Sequence, residues 1–335
     1  MENSQEIDSI TSNQRYIIDY ANIKSGIITN QKSFQNLEQF NNIIKDPSLG
    51  LPMLLPLNNN CFNYENCKEI FSIEPSIISK NIFDTNNLNY IGVKNFLKYG
   101  NTFCVGAEPK KKYQRLVSII QNYNNSLIEK INKIKEGGKT IGAFQTRNIP
   151  HLGHEKIIES LLEKCDHVII NPVLGPKKEG DLRNEILKLS FDFLSKNFYQ
   201  NKISYMPICA NMFYAGPREA LHHALLRKAV GFSHFIVGRD HAGAENIYDP
   251  HAALMLLEDY KNDIGINVIT HMGSYFSQKK NKIIIKQEDD LDADLENIRG
   301  SDFREHIQNK TYFNYARYEL QEYLYTLGDK YFNNY

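Results

Sequence analysis

The sequence predicts an α/β protein whose central element is a parallel β-sheet. Beyond residue 138, strand-like runs alternate with helical patterns; the strands are "KTIGAFQ", "HVIINPVLG", "KISYMPI" and "HFIVGRD", and the last helix lies near Ala252. Strands that alternate with helices in this way form parallel sheets with right-handed crossovers. Ligands of such sheets bind beyond the carboxyl ends of the strands. We therefore expect "QTRN", "YAGPRE" and "GRDHAG", which lie at or after strand ends, to meet in one crevice.

Residues 1 to about 112 follow a different pattern, in which turn residues interrupt short apolar runs. The runs are "SGIIT", "LPMLLPL", "EIFSI", "NYIGV" and "TFCVG". This pattern predicts a mostly β region, and Pro52 and Pro56 limit the segment between them to a short edge strand or a turn. A helical stretch, "QRLVSIIQNYNNSLIEKINKIK", then ends at two glycines. We predict domains at residues 1–125, 126–262 and 263–335, the last a small carboxyl-terminal subdomain.

Charge and composition narrow the classes of partner. The 335 residues leave room for two or three domains. Lys and Arg number 39, as do Asp and Glu, so no net charge attracts the chain to nucleic acid or to an anionic membrane. The amino terminus, "MENSQEIDSITSNQ", has neither the basic start nor the apolar run of a signal peptide. We expect a cytoplasmic protein without a nucleic-acid or membrane partner.

The cysteines give no sign of a metal site or of a disulfide framework. The five are Cys61, Cys67, Cys104, Cys165 and Cys209. They are odd in number, scattered, and free of C-x-x-C spacing. Such a pattern is typical of a protein in a reducing compartment, and we expect neither disulfides nor zinc.

The segment "FQTRNIPHLGHE" carries the most informative pattern. If a helix begins near Pro150, His151 and His154 lie on one face of its first turn. The amino-terminal end of a helix binds anions through free N–H groups and the helix dipole, and two imidazoles add donors for phosphate oxygens. Gln145, Thr146, Arg147 and Asn148 supply two amides, a hydroxyl and a planar cation from the preceding loop. That set suits an oxyanion beside a triphosphate, although H-x-G-H alone is as easily an ordinary structural pair.

Two further clusters support the same crevice. In "MFYAGPREALHHALLRKAVG", Gly216 and Pro217 open a helix, which by itself is a common structural start. In "FIVGRDHAGA", an apolar strand gives way to a polar run that packing does not explain. That run contains Gly238, Arg239, Asp240, His241, Ala242 and Gly243.

Together these stretches closely resemble the ATP sulfurylase (sulfate adenylyltransferase) family. The matching residues are "QTRNIPHLGHE", "MFYAGPREAL" and "FIVGRDHAG", in the family's order, and "IRGSDFR" at 298–304 is similar to its I-S-G-T-x-x-R element. Weaker similarity upstream falls where the family carries a PUA-like domain. The resemblance implies a Rossmann-like H-x-G-H nucleotidyltransferase domain preceded by a mostly β PUA-like domain.

The resemblance also implies a reaction and a role for each residue. Sulfate would attack the α-phosphorus of MgATP, giving adenosine 5′-phosphosulfate and pyrophosphate, with Mg²⁺ as the cofactor of ATP and no zinc. Gln145 and Arg147 would hold sulfate with the backbone of Ala242, and Thr146, Arg147 and Asn148 would form the catalytic loop. His151 and His154 would stabilise the phosphates. The nucleotide side would be lined by Gln145, Asn148, both histidines, Gly238, Arg239, Asp240 and His241, with Arg304 closing over the phosphates.

Several features depart from the family pattern or lie outside it. Ile149 stands where the family usually has proline, so the proline moves to position 150 and could re-aim the loop. No cysteine follows Cys209, no P-loop of an APS-kinase domain follows the last motif, and we expect a standalone form. The mid-helix pair His222 and His223 favours a structural or supporting role, and the acidic run at 288–296 favours a solvated surface.

Three hypotheses follow from the sequence. The first is an active ATP sulfurylase that is homo-oligomeric, as is common in the family. The second is an adenylyltransferase acting on a different small oxyanion or carboxylate, which the exchange at Ile149 and Pro150 motivates. The third is a non-enzymatic module, either a nucleotide-binding homologue without catalysis or an RNA binder that uses the PUA-like domain. The sequence does not distinguish assimilatory from dissimilatory use of the reaction.

Overall fold

The computed structural model describes residues 6–29, 31–176, 182–239, 241, 245, 247–287, 290–328 and 331–332. The helices are α1 (Arg15–Lys24), α2 (Leu37–Lys45), α3 (Pro75–Phe83), α4 (Ile91–Phe96), α5 (Gln114–Lys135), α6 (Leu152–Leu162), α7 (Asn184–Phe198), α8 (Pro217–Val230), α9 (Ala252–Asp259), α10 (Lys261–Ile264), α11 (Gly300–Asn309) and α12 (Tyr318–Thr326). The strands are β1 (Phe62–Asn63), β2 (Glu69–Ser72), β3 (Thr102–Val105), β4 (Glu108–Pro109), β5 (Ile141–Phe144), β6 (His167–Ile170), β7 (Val173–Leu174), β8 (Ile203–Tyr205), β9 (Ile208–Cys209), β10 (His234–Gly238), β11 (Asn267–His271), β12 (Ser274–Ser277), β13 (Lys282–Ile285) and β14 (Leu295–Asn297).

The predicted parallel sheet is confirmed, with one strand more than the sequence indicated. Its five strands lie in the order β11-β10-β5-β6-β8, and each neighbouring pair is parallel. The register pairs Phe144 with Ile170 and Gly238 with His271 at the carboxyl ends. The loops that follow β5, β10 and β11 therefore leave the sheet side by side.

The three inner strands, β10, β5 and β6, are buried on both faces, which is why they are mostly apolar. In β6, Val168 and Ile170 pack into one hydrophobic cluster, and Ile169 between them packs into the other. Side chains of α6, α7, α11 and α12 fill the first face, and those of α5, α8 and α9 fill the second. This three-layer arrangement leaves the carboxyl edge of the sheet for the polar loops.

The expectation of a mostly β amino-terminal region is wrong for the described residues. The strands there form two antiparallel pairs, β1 with β4 and β2 with β3, and helices α1 to α4 cover more of the chain. "NYIGV" leads into helix α4, because Tyr90, Val93 and Phe96 recur at a spacing of three and are buried together. The run "LPMLLPL" makes one bridge, from Pro56 to Phe103. A PUA-like fold for residues 1–125 is not confirmed by these short strands.

The expectation of no disulfide is also wrong. Cys67 and Cys104 are joined in a disulfide, with Cα atoms 6.1 Å apart. Pairing of β2 with β3 brings Ile70 opposite Cys104, and Cys67 lies just before β2. A cysteine separation of 37 residues carries no sign of this strand pairing, so the sequence did not predict it. Cys61, Cys165 and Cys209 are free and buried.

The carboxyl-terminal region packs against the sheet instead of standing apart. Strand β12 pairs antiparallel with β13 and β14, and Phe303 and Leu320 join the same hydrophobic cluster as Val168. The domain boundaries stay predictions, with α5 running across the first and β11 following the second. None of the helices in the described ranges is long and apolar enough to cross a membrane.

Candidate active site

The "QTRN" loop follows β5 and leads into α6, whose amino-terminal cap is His151. The Nδ1 atom of His151 accepts a hydrogen bond from the backbone N–H of His154 at 3.3 Å. The two imidazole rings stack with centroids 3.7 Å apart, as their predicted position on one face of the first turn requires. Because His151 caps the helix, it uses one of the free N–H groups that the sequence suggested for an anion. The rings themselves therefore become the main donors at this helix end.

Both histidines of the pair are neutral at pH 7. Burial lowers the pKa of His151 to about 4. Burial, and then the neighbouring His151, lower the pKa of His154 well below its ordinary value. A neutral ring carries one proton, and since Nδ1 of His151 accepts a hydrogen bond, that proton lies on Nε2. His151 can therefore donate a hydrogen bond to a phosphate oxygen without being charged.

The loop itself is held in a turn. Thr146 Oγ1 accepts a hydrogen bond from the backbone N–H of Asn148 at 3.2 Å and lies 3.4 Å from Nε2 of His154. The side chain of Arg147 is exposed and makes neither a hydrogen bond nor an ion pair with the part of the chain that the structure describes. Ile149 is 1% exposed and lies in the sheet's hydrophobic cluster. Ile149, which stands where the family usually has proline, is thus accommodated in the hydrophobic core. The turn places the Arg147 guanidinium in solvent.

The β10 side of the site contains Gly238, Arg239 and His241. Gly238 ends β10, and a Cβ atom there would lie 2.8 Å from the ring of His271. The guanidinium of Arg239 lies over the Tyr275 ring at 5.0 Å, and its Nη2 donates to Asn297 Oδ1 at 3.4 Å. His241 is half-buried and lies beside α8, where its Nε2 is 3.0 Å from Nδ1 of His223. Asp240 and Ala242, which the sequence also assigned to the site, lie outside the described residues.

The last motif also reaches the loop. Gly300 is the first residue of α11, and a Cβ atom there would lie 2.6 Å from the Asn148 side chain. Arg304 follows four residues later, so it lies on the same side of the helix as Gly300. The structure therefore brings "IRGSDFR" against "QTRN", as the resemblance implies.

Two residues near the site were missed by the sequence analysis. His271 ends β11, and its Nδ1 accepts the Gly273 N–H at 3.1 Å, so its proton lies on Nε2. Burial, with Arg239 nearby, lowers the pKa of His271 to about 4. Arg227 on α8 donates to Gln145 Oε1 at 2.6 Å. The short run "NVITH" was the available signal for His271, and spacing of four along α8 was the signal for Arg227.

The described residues include no group of three or more His, Cys, Asp or Glu side chains that could hold a metal ion. The donors that do meet at the carboxyl edge are imidazoles, amides and guanidinium groups. These groups bind anions, and a divalent cation would be bound chiefly by the anion itself.

Comparison with known proteins agrees with this geometry. A family model described as ATP-sulfurylase matches residues 126–313, which include the loop, both histidines and the last motif. The chain belongs to the ATP-sulfurylase family. The sulfate adenylyltransferase of Pyrococcus abyssi is 33% identical over 285 residues, covering 78% of this chain and 74% of that protein. That of Thermococcus onnurineus is 31% identical, covering 82% of this chain and 78% of the other.

A solved structure matches the fold of this ATP-sulfurylase family member. It is titled "Hexameric APS kinase from Thiobacillus denitrificans", and it matches with a TM-score of 0.60 at 13% sequence identity. The match covers 94% of this chain and 62% of that protein's length. At this identity the likeness supports the mixed α/β fold with its parallel sheet.

Proposed function

We propose that this chain is a sulfate adenylyltransferase, which converts ATP and sulfate to adenosine 5′-phosphosulfate and pyrophosphate. The observation that carries the proposal is the meeting of the "QTRN" loop, the stacked histidines and the end of β10 at one edge of the parallel sheet. Membership of the ATP-sulfurylase family supports the same reaction.

In the proposed reaction a sulfate oxygen attacks the α-phosphorus, and the bond from that phosphorus to the β-bridging oxygen breaks. The electron pair leaves with pyrophosphate, so no covalent enzyme intermediate forms. The protein's contribution is to hold two anions in line and to stabilise charge on the phosphates. Neutral imidazole N–H donors in a buried setting suit this task, because they do not need to be desolvated as charged groups.

We assign the acceptor side to the loop. Arg147 is exposed, which fits a planar cation that pairs with a tetrahedral dianion. Gln145 donates from its amide nitrogen, and Ala242 contributes its backbone. Thr146 and Asn148 keep the turn that aims Arg147, through the 3.2 Å hydrogen bond between them.

We assign the nucleotide side to the histidine pair and to β10. His151 and His154 donate to phosphate oxygens that gain charge in the transition state. Gly238, Arg239, Asp240 and His241 bind the nucleoside, together with Gln145 and Asn148. Arg304, on the side of α11 that meets Asn148, closes over the phosphates.

We propose that Mg²⁺ enters with the triphosphate as part of the substrate. The donors described at the site bind anions, and no carboxylate cluster accompanies them in the described ranges. Activity should vanish with EDTA and return with Mg²⁺. Elemental analysis should find no stoichiometric zinc in the purified protein; one tightly held zinc per chain would contradict this part.

The test of the function is a pyrophosphate-release assay with MgATP and a panel of anions. We expect a strong signal with sulfate and little with phosphate, a phosphonate or a small carboxylate. A signal with another acceptor alone would favour the second hypothesis, an adenylyltransferase for a different oxyanion. Nucleotide binding without release for any anion would favour a non-catalytic homologue.

The remaining parts of the proposal rest on the sequence. They are a PUA-like fold for residues 1–125, a homo-oligomer, a cytoplasmic location and the absence of a nucleic-acid partner. Gel filtration with light scattering tests the oligomer, and the neutral balance of charged residues supports the last of these.

A further inference from the structure

Helix α8 buries three ionisable side chains on one face. Glu219, His223 and Arg227 are spaced by four residues, and each is 0% exposed. Residues four apart on a helix lie above one another, so the three form a continuous polar row. Buried ionisable groups are costly unless they are paired, and a row of three calls for a reason beyond packing. The row points at the two loops of the proposed active site.

Arg227 fixes the orientation of the Gln145 amide. Its Nη2 donates to Gln145 Oε1 at 2.6 Å and to the backbone carbonyl of Asn171 at 2.8 Å, and its guanidinium lies 5.0 Å from the centre of the Phe235 ring. Burial lowers the pKa of Arg227 to about 9, so the group is charged at pH 7. A guanidinium only donates, so the Gln145 oxygen must face it and the amide nitrogen must face away. Gln145 therefore presents a donor, which is the polarity that an oxyanion requires.

His223 fixes the tautomer of His241 in the same way. Glu219 Oε1 lies 3.3 Å from Nε2 of His223, and the carboxylate also accepts the backbone N–H groups of Phe213 at 2.7 Å and Ala215 at 2.9 Å. The carboxylate favours a proton on Nε2 of His223, which leaves Nδ1 as an acceptor. Nε2 of His223 makes no hydrogen bond with the described residues, so the nearby charge of Glu219 is what favours a proton there. Nδ1 of His223 lies 3.0 Å from Nε2 of His241, so with Nδ1 as the acceptor His241 carries its proton on Nε2. The Nδ1 atom of His241 is then an acceptor.

We propose that Arg227 and His223 are positioning residues, of which Arg227 turns Gln145 into a donor for the acceptor anion and His223 turns His241 into an acceptor for a nucleoside hydroxyl or amino group. The inference rests on the proposed function, since that function assigns Gln145 to sulfate and His241 to the nucleotide. It adds that one helix sets the hydrogen-bonding polarity of both substrate subsites.

The kinetic test separates the two substrates. Arg227→Met should raise the KM for sulfate at least tenfold and leave the KM for ATP within about threefold, and Arg227→Lys should recover part of the loss because it keeps a donor. His223→Leu should do the reverse, raising the KM for ATP at least tenfold, and His223→Asn should recover part because its amide oxygen can accept from His241. Parallel rises of both KM values in all four variants would reduce the row to a structural element.

Two residues on the same helix provide matched controls. Arg218 donates to the backbone carbonyl of Ile43 at 2.6 Å, and His222 accepts the Leu51 N–H at 3.4 Å; both contacts face the amino-terminal region. Arg218→Met removes a half-buried guanidinium and His222→Leu a buried imidazole, without touching Gln145 or His241. They should lower thermal stability and leave both KM values within about threefold.

A second measurement keeps the inference testable if a variant does not fold or if sulfate is not the acceptor. Nitrogen-15 NMR of the histidine rings in the unmodified protein should show His241 protonated on Nε2 and unprotonated on Nδ1. The opposite tautomer would overturn the His223 part. Calorimetry of sulfate binding, beside an ATP analogue with a non-hydrolysable α,β-bridge, should show at least threefold weaker binding in Arg227→Lys than in Arg218→Lys; equal binding would overturn the Arg227 part. An unmodified protein that releases no pyrophosphate with sulfate contradicts the proposed function alone.

Discussion

The amino-terminal region and the parallel sheet differ in how strongly their sequences determine their structures. In the sheet, four of the five strands are largely buried runs followed by a helix, and these four strands and their helices lie where the sequence predicted them. In residues 6–112, the apolar runs are shorter and lack a repeating partner, and "NYIGV" leads into a helix where a strand was expected. Short apolar runs fit both a helix and a strand, so only the surrounding sequence pattern decides between the two.

The two regions also differ in their buried titratable groups. All ten histidines of the chain lie at or after position 151, and eight of them have lowered pKa values, with burial as the largest cause. The amino-terminal region instead buries Asp19, whose pKa burial raises to about 6. The buried histidines of the site region thus disfavour protonation in the folded state, whereas buried Asp19 favours it.

The largest expected effect is therefore a regional response to acid. Burial lowers the pKa of His151 to about 4, of His222 to about 3 and of His271 to about 4. A depressed histidine pKa stabilises above the unfolded value of about 6.5, and that stability is lost as the pH falls towards the folded value. From pH 6 to 5 each group costs about 1 kcal/mol, or ~3 kcal/mol for the three together.

Asp19 changes in the opposite direction. Burial of the Asp19 carboxylate costs folding stability at pH 7, and this cost is relieved as the pH falls through about 6. Buried Glu155 and Glu219, whose pKa values burial also raises, offset part of the stability lost around the site. Hydrogen exchange, corrected for intrinsic rates, should show protection falling in residues 139–276 before it falls in residues 15–105. Equal loss in both regions between pH 6 and 5 would contradict the contrast.

The next largest effect concerns the stacked histidines. His151→Ala and His154→Ala should each lower kcat by ~10²-fold, about 2.7 kcal/mol, if each removes one donor to charge that develops in the transition state. Asparagine at either position should recover part of the loss. The double variant should cost less than the two single losses combined, because both rings act on the same phosphates. An unchanged kcat with a raised KM for ATP would reduce the pair to nucleotide binding.

The motifs of the site could be predicted because each is contiguous and lies at a strand end. The contacts that orient them could not be, since they join residues far apart in sequence. Arg227 contacts Gln145, which lies 82 residues away in the sequence. Gly300 packs against Asn148, and no sequence pattern links the two positions. Strand β11 was missed because two half-buried apolar residues lie between polar ones in its five residues, which is a weak signal for a strand at a sheet edge. Sequence pattern predicts elements and loop chemistry, whereas side-chain orientation depends on tertiary packing.

A smaller effect is expected when Arg147, the proposed cation of the acceptor site, is replaced by lysine. Arg147→Lys keeps the charge but loses the planar pair of donors, so sulfate-dependent turnover should fall at least tenfold, about 1.4 kcal/mol. Lys156→Arg, on the exposed surface of α6, is the control and should leave turnover unchanged. Turnover of Arg147→Lys within about threefold of the unmodified protein would remove Arg147 from the acceptor site.

The smallest effect should come from Gly300, which belongs to neither region but touches the loop. Alanine suits a helix better than glycine by up to about 1 kcal/mol, so Gly300→Ala should not lower the melting temperature. Its Cβ atom, however, would lie 2.6 Å from the Asn148 side chain, which must move and disturb the turn beside Arg147. We expect kcat to fall about threefold to tenfold, with Ser301→Ala, the exposed next residue, as the control. A stabilised Gly300→Ala protein with full kcat would show that catalysis tolerates movement of Asn148, and the loop's precision would then rest on Thr146 and Arg147.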